Sequence, residues 1–348
     1  MAPHPARWLH PRPQGLFCVP GGFFIDPRVG VERAVITHAH SDHARPGHRH
    51  VLAHPDTLAL MRVRLGEAAA GRSQQALGWG EAVQQGGVRI TLMPAGHVRG
   101  SAQVVLEHAG SRVVVSGDYK RQADPTCEGF APVGCDIFVT EATFALPVFR
   151  FPPPEQALAR LLASLAQHPR RTHLIGCYPL GKCQRIIALL RAAGWEQPVF
   201  LHAAQIALCE AYRRMGVALG PLRPLGGAPA GELAGAIVLA PPGAAAELRT
   251  QHLAEPVLAV ASGWMRLRRR VRAQGVDVPL VISDHADWDA LLATIAETGA
   301  PEVWITHGRA AALQHVLAGR GVRARALHAI GSGEDAEAAA AADASTPG

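Results

Sequence analysis

One short segment constrains this chain more than any other feature, because it places four potential metal ligands within six residues. The segment reads His38-Ala39-His40-Ser41-Asp42-His43 and follows the apolar stretch Ala34–Thr37, which is predicted to be a strand. A tight loop at the end of a strand can bring these side chains to one point. Imidazole and carboxylate groups are the ligands that zinc accepts in catalytic sites, where one position stays open for water. The segment therefore predicts a metal-dependent catalytic site rather than a solvated histidine-rich loop.

The length and composition of the chain are those of an ordinary globular protein. With 348 residues the chain is long enough for about two domains. Hydrophobic residues make up 48% and charged residues 18%, which excludes a disordered chain or a coiled coil. Only 5% of the residues are aromatic, so an aromatic platform that stacks single-stranded bases is not expected. The formal net charge of +6 permits an anionic partner, nucleic acid first among them.

The start of the chain and its cysteines indicate a soluble cytoplasmic protein. Pro3, Pro5 and Pro13 interrupt the region where a signal peptide needs an unbroken apolar stretch. Glycine and proline interrupt every long apolar window, so no membrane span is expected. The six cysteines form no C-x-x-C pair, which is typical of reduced cytoplasmic thiols rather than of a disulfide framework.

The rhythm of predicted elements changes twice along the chain. Short strands separated by turns fill residues 16 to about 145, and a Pro-Pro-Pro run after Phe151 ends this pattern. Helices then alternate with strands, which favours βα units around a parallel sheet. From Val278 strands and helices alternate again, and the stretch 331–348, rich in alanine and acidic residues, is expected to be a disordered tail. The predicted helices are 56–65, 155–167, 182–192, 203–214, 287–298 and 309–318.

Three further motifs at predicted strand ends carry a histidine or an aspartate. They are Pro94-Ala95-Gly96-His97, Ser116-Gly117-Asp118 and Phe24-Ile25-Asp26. Each alone is a weak signal, because loop histidines and turn aspartates are common. Their order along the chain, together with the H-x-H-x-D-H segment, resembles the metallo-β-lactamase fold.

Three motifs later in the chain resemble those of the β-CASP subgroup, nucleases that insert a cap domain into the metallo-β-lactamase core. They are Thr140-Glu141-Ala142-Thr143-Phe144, Ser283-Asp284-His285-Ala286-Asp287 and Ile305-Thr306-His307-Gly308. The resemblance implies an α/β fold with a metallo-β-lactamase αββα sandwich core, residues 1–145 and 275–330, and an inserted small α/β β-CASP cap, residues 146–274. The small cap and the stretch Tyr178-Pro179-Leu180-Gly181-Lys182 are most similar to bacterial ligase-associated DNA exonucleases, which are linked with a helicase and a DNA ligase in repair.

The resemblance also implies a site for two zinc ions, with Mn²⁺ as the alternative metal. The implied ligands are His38, His40 and His97 for one ion, Asp42, His43 and His307 for the other, and Asp118 as a bridge. Two cations about 3.5–4 Å apart lower the pKa of a shared water and clamp both oxygens of a phosphoryl displacement. A phosphodiester gains most from such a site, because its transition state spreads negative charge over several oxygens.

The resemblance further implies catalytic roles for Asp42, His285, Glu141 and Asp26. His285 would donate a proton to the leaving oxygen or stabilise it, and Glu141 would orient and charge the ring of His285. Asp26 would support a ligand histidine, and Asp42 would serve catalysis as well as metal binding. The alternative for His285 is an ordinary capping region ahead of the helix 287–298.

Lys182, Arg185 and Ser262 are candidates for substrate binding. The segment before helix 182–192 nearly matches a P-loop, but Cys183 stands where that motif needs a hydroxyl for Mg²⁺, which excludes an NTPase. At a helix N-terminus Lys182 and Arg185 could hold a backbone phosphate, or the segment is a plain strand–turn–helix. Ser262 precedes the arginine-rich run 266–272, which either tracks phosphates or forms a solvated helix face.

These features lead to one preferred function and to several alternatives. We expect a metal-dependent phosphodiesterase, a DNA exonuclease that processes ends in repair together with a ligase. An RNA-processing endo- or exonuclease is the close alternative, because a histidine in the third motif, here His307, occurs among RNA-processing members of the subgroup. A non-catalytic nucleic-acid-binding scaffold is less favoured, since every ligand position holds His or Asp. A small-molecule hydrolase is less favoured because it needs neither the long insert nor the positive charge.

Overall fold

The computed structural model describes residues 3–251, 253 and 255–327. The predicted tail 331–348 lies outside the described residues. The described chain divides into two compact units: the first holds the residues up to Phe149 and those from His285 onward, and the second holds Arg150–Asp284. The first unit is thus discontinuous in sequence.

Strands and helices are distributed along the whole described chain. The strands are β1 (Leu9–Arg12), β2 (Gly15–Cys18), β3 (Phe23–Ile25), β4 (Arg33–Val35), β5 (His50–Ala53), β6 (Ser73–Ala76), β7 (Ala82–Gln85), β8 (Val88–Pro94), β9 (Ala102–His108), β10 (Ser111–Val115), β11 (Ile137–Ala142), β12 (His173–Gly176), β13 (Val199–Leu201), β14 (Leu222–Pro224), β15 (Ile237–Ala240), β16 (Val257–Ala261), β17 (Val278–Leu280), β18 (Glu302–Gly308) and β19 (Arg323–Ala326). The helices are α1 (Pro55–Leu65), α2 (Pro154–Gln167), α3 (Lys182–Ala192), α4 (Ala203–Arg214), α5 (Ala230–Leu233), α6 (Pro242–Gln251), α7 (Arg268–Ala273), α8 (Trp288–Thr298) and α9 (Ala310–Gly319). Every helix within these described ranges is too short or too polar to cross a membrane.

The first unit contains two sheets that share one apolar core. Sheet I has the order β1-β2-β3-β4-β5-β6, and sheet II has the order β19-β18-β11-β10-β9-β8-β7. Leu16, Phe23 and Val35 of sheet I belong to the same buried cluster as Val104 and Trp304 of sheet II. The two sheets therefore pack face to face, and the burial of these side chains is the dominant favourable term in folding.

Helices α8 and α9 cover the other face of sheet II. Val114 and Phe138 of the sheet form a second buried cluster with Leu291 of α8 and Leu313 of α9. The side chain of Asp287 caps α8 by accepting a hydrogen bond from Ala290 N at 2.9 Å. Sheet II is thus buried on both faces, which holds its strand ends rigidly.

The second unit is built around sheet III, whose order is β14-β13-β15-β12-β16-β17. Every pairing within this sheet is parallel, as the alternation of strands and helices predicts. All residues of β12 and β15 are buried, which is typical of strands covered on both faces. Because β17 pairs with β16, the second unit extends to Asp284 rather than to the expected boundary at 274. It begins at Arg150 rather than at 146.

Strand directions in sheet II bring functional side chains to one edge. Strands β10, β11 and β18 run parallel, and β9 is antiparallel to both β8 and β10, so β8 ends at the same edge. His97 and Asp118 follow β8 and β10, and Glu141 and His307 lie at the ends of β11 and β18. The four side chains therefore meet at the carboxyl edge of this sheet, where ligands bind in many α/β proteins.

A β-bulge changes the direction of the end of β18. Thr140 lies opposite Ile305, whereas Ala142 lies opposite Gly308, so β18 carries one extra residue at this point. Gly308 has a φ of +90°, and a Cβ there would lie 2.2 Å from the carbonyl carbon of Ala142. Only glycine fits so close a backbone approach. The bulge re-aims the neighbouring side chain of His307.

Candidate metal centre and catalytic site

Asp26 fixes the position of the histidine-rich loop after β4. It follows β3 with a φ of +44°, a conformation that aspartate tolerates better than most residues. Its carboxylate accepts hydrogen bonds from Thr37 N at 2.8 Å, from Thr37 Oγ1 at 2.6 Å and from His43 Nδ1 at 2.8 Å. Because the last bond keeps the ring proton on Nδ1, Nε2 of His43 is left to bind a cation.

Two Thr-His dipeptides orient their imidazoles in the same way. Thr37 Oγ1 lies 3.0 Å from His38 Nδ1, and Thr306 Oγ1 lies 3.0 Å from His307 Nδ1. Each hydroxyl donates its own proton elsewhere, that of Thr37 to Asp26 and that of Thr306 to a carbonyl of β11. Each hydroxyl therefore accepts the Nδ1–H of its histidine, which leaves Nε2 of both rings with a lone pair.

Four buried side chains form the first group of donors, namely His38, His40, His97 and Asp118, with one donor atom of each within 4.8 Å of the others. His40 Nδ1 lies 3.2 Å from His38 Nε2 and 3.0 Å from His97 Nε2. Asp118 Oδ2 lies 3.6 Å from His38 Nε2 and 3.8 Å from His97 Nε2. These are the three histidines and the aspartate that the sequence motifs predict to meet.

Asp118 also belongs to a second group, together with Asp42 and His43. His43 Nε2 lies 3.5 Å from Asp42 Oδ2 and 3.4 Å from Asp118 Oδ2. His307 Nε2 approaches Asp118 Oδ1 at 3.3 Å. Asp118 thus lies at the junction of the two groups, and the structure brings all seven predicted ligands together.

The electrostatics of the cluster suit a cation. Burial raises the pKa of Asp118, but the nearby His43 and His285 outweigh this effect and hold that pKa well below its usual range. Burial, reinforced by His43 and other imidazoles, holds the pKa of His38 well below its ordinary value. Burial lowers the pKa of His43, yet Asp118 and Asp42 raise it well above the ordinary value. At neutral pH the cluster therefore contains an ionised Asp118 and a neutral His38.

The donor set fits a metal. The ring nitrogens of His38, His40 and His97 face one another around Asp118. Without a proton or a cation between them, the lone pairs of these nitrogens repel one another. Among the described residues, Asp118 Oδ1 is buried and lacks a hydrogen bond of normal geometry. Histidine and aspartate are the ligands of catalytic zinc sites. The buried cluster can therefore hold metal.

His285 lies beside this cluster and is held by Glu141. Its Nδ1 is 2.9 Å from Glu141 Oε2, while Glu141 Oε1 accepts a hydrogen bond from Tyr119 N at 2.8 Å. His285 Nδ1 lies 4.0 Å from Asp118 Oδ2, and these two residues with Glu141 form a third group of donors. The carboxylate fixes the orientation of the imidazole, as in the pairs that support metal-binding histidines.

The predicted substrate-binding residues have partners within the second unit. Lys182 and Arg185 begin α3, are fully buried, and donate to backbone carbonyls of the segment 282–284. Ser262 accepts a hydrogen bond from Trp264 N at 3.2 Å and so caps a short 3₁₀ helix. These contacts hold Lys182, Arg185 and Ser262 to neighbouring segments of the second unit, and substrate binding by these residues stays a prediction.

Sequence motifs do not identify Lys120, which supports the loop that carries His97. Its buried ammonium donates to His97 O at 3.1 Å and to Asp124 Oδ2 at 2.6 Å. Nothing in the local sequence links Lys120 to His97. The orienting roles of Thr37 and Thr306 had a signal in the sequence, since the same Thr-His dipeptide occurs in both motifs.

Two packed sheets that carry a buried His/Asp cluster at the carboxyl edge of sheet II define an α/β protein with a candidate metal centre. No family model matches the chain. A solved structure of a protein of unknown function from Enterococcus faecalis V583 is similar in fold, with a TM-score of 0.52 at 13% identity over 78% of this chain and 74% of that one.

Three curated relatives carry functional names. The chain is 31% identical over 319 residues to a protein of Opitutus terrae named "Probable DNA ligase", and this match covers 90% of the chain and 30% of that protein. It is 31% identical over 112 residues to cleavage and polyadenylation specificity factor subunit 3 of Dictyostelium discoideum, covering 31% of the chain and 14% of that protein. It is 29% identical over 140 residues to endoribonuclease YSH1 of Saccharomyces cerevisiae, covering 36% and 17%.

These similarities agree with the motifs and with the geometry of the cluster. Together they support assignment of the chain to the metallo-β-lactamase/β-CASP family. It spans 30% or less of the length of each of the three relatives.

Proposed function

We propose that this protein is a metal-dependent phosphodiesterase that acts on nucleic acid, and more narrowly a DNA exonuclease that processes ends for a ligase. One observation carries the proposal: the six other predicted ligands converge around the buried Asp118, with the Glu141–His285 pair directly beside them. Such an arrangement combines a metal centre with a proton donor, which is what hydrolysis of an unactivated phosphodiester needs.

The proposed cofactors are two Zn²⁺ ions, with Mn²⁺ as the alternative. His38, His40, His97 and Asp118 would hold one ion, and Asp42, His43, His307 and Asp118 the other. When bound, the ions supply activation of a water and stabilisation of charge on the phosphoryl oxygens. The three hydrogen bonds to Asp26 and the Thr-His pairs hold Nδ1 of His38, His43 and His307 and so aim Nε2 of each ring at the centre.

His285 is the proposed proton donor. As the oxygen of water bonds to phosphorus, the bond from phosphorus to the leaving oxygen breaks and the imidazolium proton passes to that oxygen. The protons of the attacking water pass to solvent, and His285 takes up a proton again before the next turnover. Glu141 holds Nδ1 of the ring and balances its positive charge, so Nε2–H is the group presented for donation. Asp42 contributes as a ligand next to His43, and Asp26 acts through His43 rather than on substrate.

The DNA assignment is supported by the relative from Opitutus terrae. Its name includes a DNA ligase, and its similarity to this chain covers nearly the whole of this chain but only 30% of that protein. A nuclease joined to a ligase would trim the ends that the ligase seals. A cytoplasmic repair role beside a ligase and a helicase follows from this proposal. RNA processing is the second candidate, because an endoribonuclease and a polyadenylation factor subunit match about a third of the chain.

The second unit, Arg150–Asp284, is the proposed β-CASP cap. Its helix α7 exposes Arg268, Arg269 and Arg272, and no ion pair involves these three residues within the described part of the chain. A row of exposed guanidinium groups attracts the phosphates of a nucleic acid backbone. This charge supports a polyanionic substrate and argues against a small-molecule ester.

The central experiment is degradation of matched DNA and RNA strands that carry a label at one end. A ladder that begins at one end identifies an exonuclease, whereas internal fragments identify an endonuclease. We expect the wild type to degrade DNA faster than RNA from an end. Faster degradation of RNA would replace the DNA assignment with the second candidate.

Two variants separate metal binding from proton transfer. His285→Ala should retain the metal content of the wild type and lose turnover by about 10²–10⁴-fold, the usual contribution of general acid catalysis. Asp118→Ala should lose both metal and activity, because Asp118 lies in every group of donors. Metal loss in His285→Ala would contradict the assignment of this residue as the proton donor.

A further inference from the structure

Two fully buried cations at the start of α3 contact the segment that leads into His285. Lys182 Nζ donates to Ile282 O at 2.9 Å and lies 3.1 Å from Asp284 Oδ2. Arg185 NH1 donates to Ser283 O at 2.6 Å and to Asp284 Oδ1 at 3.0 Å. Lys182 and Arg185 thus bind both oxygens of one carboxylate and two consecutive carbonyls.

The burial of this cluster limits what it can do. Lys182 and Arg185 have no solvent-exposed surface within the described structure, and the side chain of Asp284 is only 4% exposed. A phosphate could reach the two cations only by displacing their present partners, which would leave buried carbonyls unsatisfied. Burying two cations for fold stability alone is inefficient, because well-packed apolar side chains stabilise as well or better. The arrangement therefore favours a role that depends on geometry.

The chain passes directly from the contacted segment to the proposed proton donor. Asp284 is bonded to His285, whose Nδ1 is held by Glu141 at 2.9 Å, and Ala286 N donates to Tyr119 O at 2.6 Å. The contacts with α3 therefore hold the backbone immediately before His285. The position of a proton donor matters steeply, since a displacement of about 1 Å can cost about 10²-fold in rate.

We propose that Lys182 and Arg185 are positioning residues that fix the backbone of residues 282–284 and so aim His285 at the leaving oxygen. This inference rests on the proposed function of His285 as the proton donor. Lys182 and Arg185 act through Asp284 and the carbonyls beside it, and they make no contact with substrate. The Gly-Lys-x-x-Arg pattern at the start of α3, for which the sequence left phosphate binding and a plain strand–turn–helix open, thus has a positioning role in this proposal.

The test compares two substrates whose leaving groups differ in their need for a proton. A DNA strand leaves as an alkoxide, which requires a proton donor, whereas the nitrophenolate of thymidine 5′-(p-nitrophenyl phosphate) leaves without one. Displacement of His285 therefore slows cleavage of DNA and leaves the rate of cleavage of the aryl ester unchanged. General damage to the fold or loss of metal slows both reactions by the same factor.

The variants are Arg185→Gln and Arg185→Lys, with Arg191→Gln as the matched control. Arg191 lies at the other end of α3 and donates to carbonyls of residues 195, 197, 219 and 221, so its removal also costs several guanidinium–carbonyl hydrogen bonds on the same helix, in a half-buried position. We expect kcat on DNA to fall about tenfold or more beyond its fall on the aryl ester in Arg185→Gln. The loss of kcat on DNA in Arg185→Lys should lie between that of Arg185→Gln and the wild type. Arg191→Gln should change kcat by the same factor on both substrates.

Failure of the positioning role and failure of the proposed function give different results. Equal losses on both substrates in the two Arg185 variants would overturn the positioning role, and so would an unchanged kcat on DNA. If circular dichroism shows that Arg185→Gln does not fold, Arg185→Lys, which keeps the charge, decides the question with the same ratio. A wild type that cleaves the aryl ester and neither DNA nor RNA would instead refute the proposed function, independently of Lys182 and Arg185.

Discussion

Replacement of Asp26 by asparagine tests whether metal affinity depends on which ring nitrogen of His43 carries the proton. Asp26 Oδ1 accepts from Thr37 N, and Oδ2 accepts from Thr37 Oγ1 and from His43 Nδ1. In Asp26→Asn, the amide nitrogen that takes the place of Oδ2 donates to Nδ1 instead of accepting from it. The ring proton of His43 then moves to Nε2, the atom that lies 3.4 Å from Asp118. A protonated Nε2 cannot bind a cation.

The size of the effect follows from these contacts. Changing a group that orients a ligand typically costs about 10–100-fold in metal affinity, which corresponds to about 1.4–2.8 kcal/mol. The backbone should stay in place, since asparagine also tolerates the positive φ at this position. The free energy of unfolding of the metal-free protein should therefore fall by only about 1–3 kcal/mol, the cost of the lost charge-assisted hydrogen bond.

The assay is a competition titration with a chromophoric zinc chelator, together with urea unfolding of the metal-free protein. Asp136→Asn is the matched control, because Asp136, like Asp26, accepts a hydrogen bond from a backbone N–H. That donor is Arg112 N, which lies at the end of β10 away from Asp118. The control should bind zinc as the wild type does. Wild-type affinity for every equivalent of zinc in Asp26→Asn would refute the reasoning from the proton on His43.

Further predictions concern the bulge, the basic helix and the second unit. Gly308→Ala should lower the free energy of unfolding by about 1–3 kcal/mol and reduce turnover, whereas Gly319→Ala, with open space around its Cβ, should not destabilise. Replacing Arg268, Arg269 and Arg272 by glutamine should reduce the slope of log affinity against log salt on single-stranded DNA by about 0.7 for each phosphate that is no longer neutralised. Burial lowers the pKa of His173, so the free energy of unfolding should fall as the pH drops below about 6.5, and His173→Gln should flatten this dependence in urea titrations. Removing metal with a chelator should abolish cleavage, and zinc should restore it.

Much of the fold follows from local pattern. All six helices predicted from the sequence are present with ends that agree within one residue, so local sequence signals were enough to find them. Strand β6 had no such signal: its residues Ser-Gln-Gln-Ala are mostly exposed, and the strand exists because β5 offers an edge to pair with. Helix α6, rich in alanine, also lacks an amphipathic pattern. Elements that depend on pairing partners or on composition alone were therefore not predicted.

The cluster of ligands was predictable because short motifs at strand ends resemble those of a known family, and the resemblance implies the ligand set. The partners of Lys182 and Arg185 were not, because Asp284 lies about a hundred residues further along the chain and only the parallel sheet of the second unit brings it to α3. A basic residue at a helix start is typical of phosphate binding, and sequence alone contains no measure of its burial. The bulge at β18 was likewise hidden, since it arises from the register between two strands.

The placement of His307 on β18 affects when the centre can form. A ribosome makes β4, β8, β10 and β11 early, and then the whole second unit, before it adds the strand that carries His307. Until β18 emerges and pairs with β11, a nascent chain holds an incomplete set of ligands around Asp118. The proposed hydrolase therefore lacks one of its ligands until the strand that carries His307 has been translated and paired.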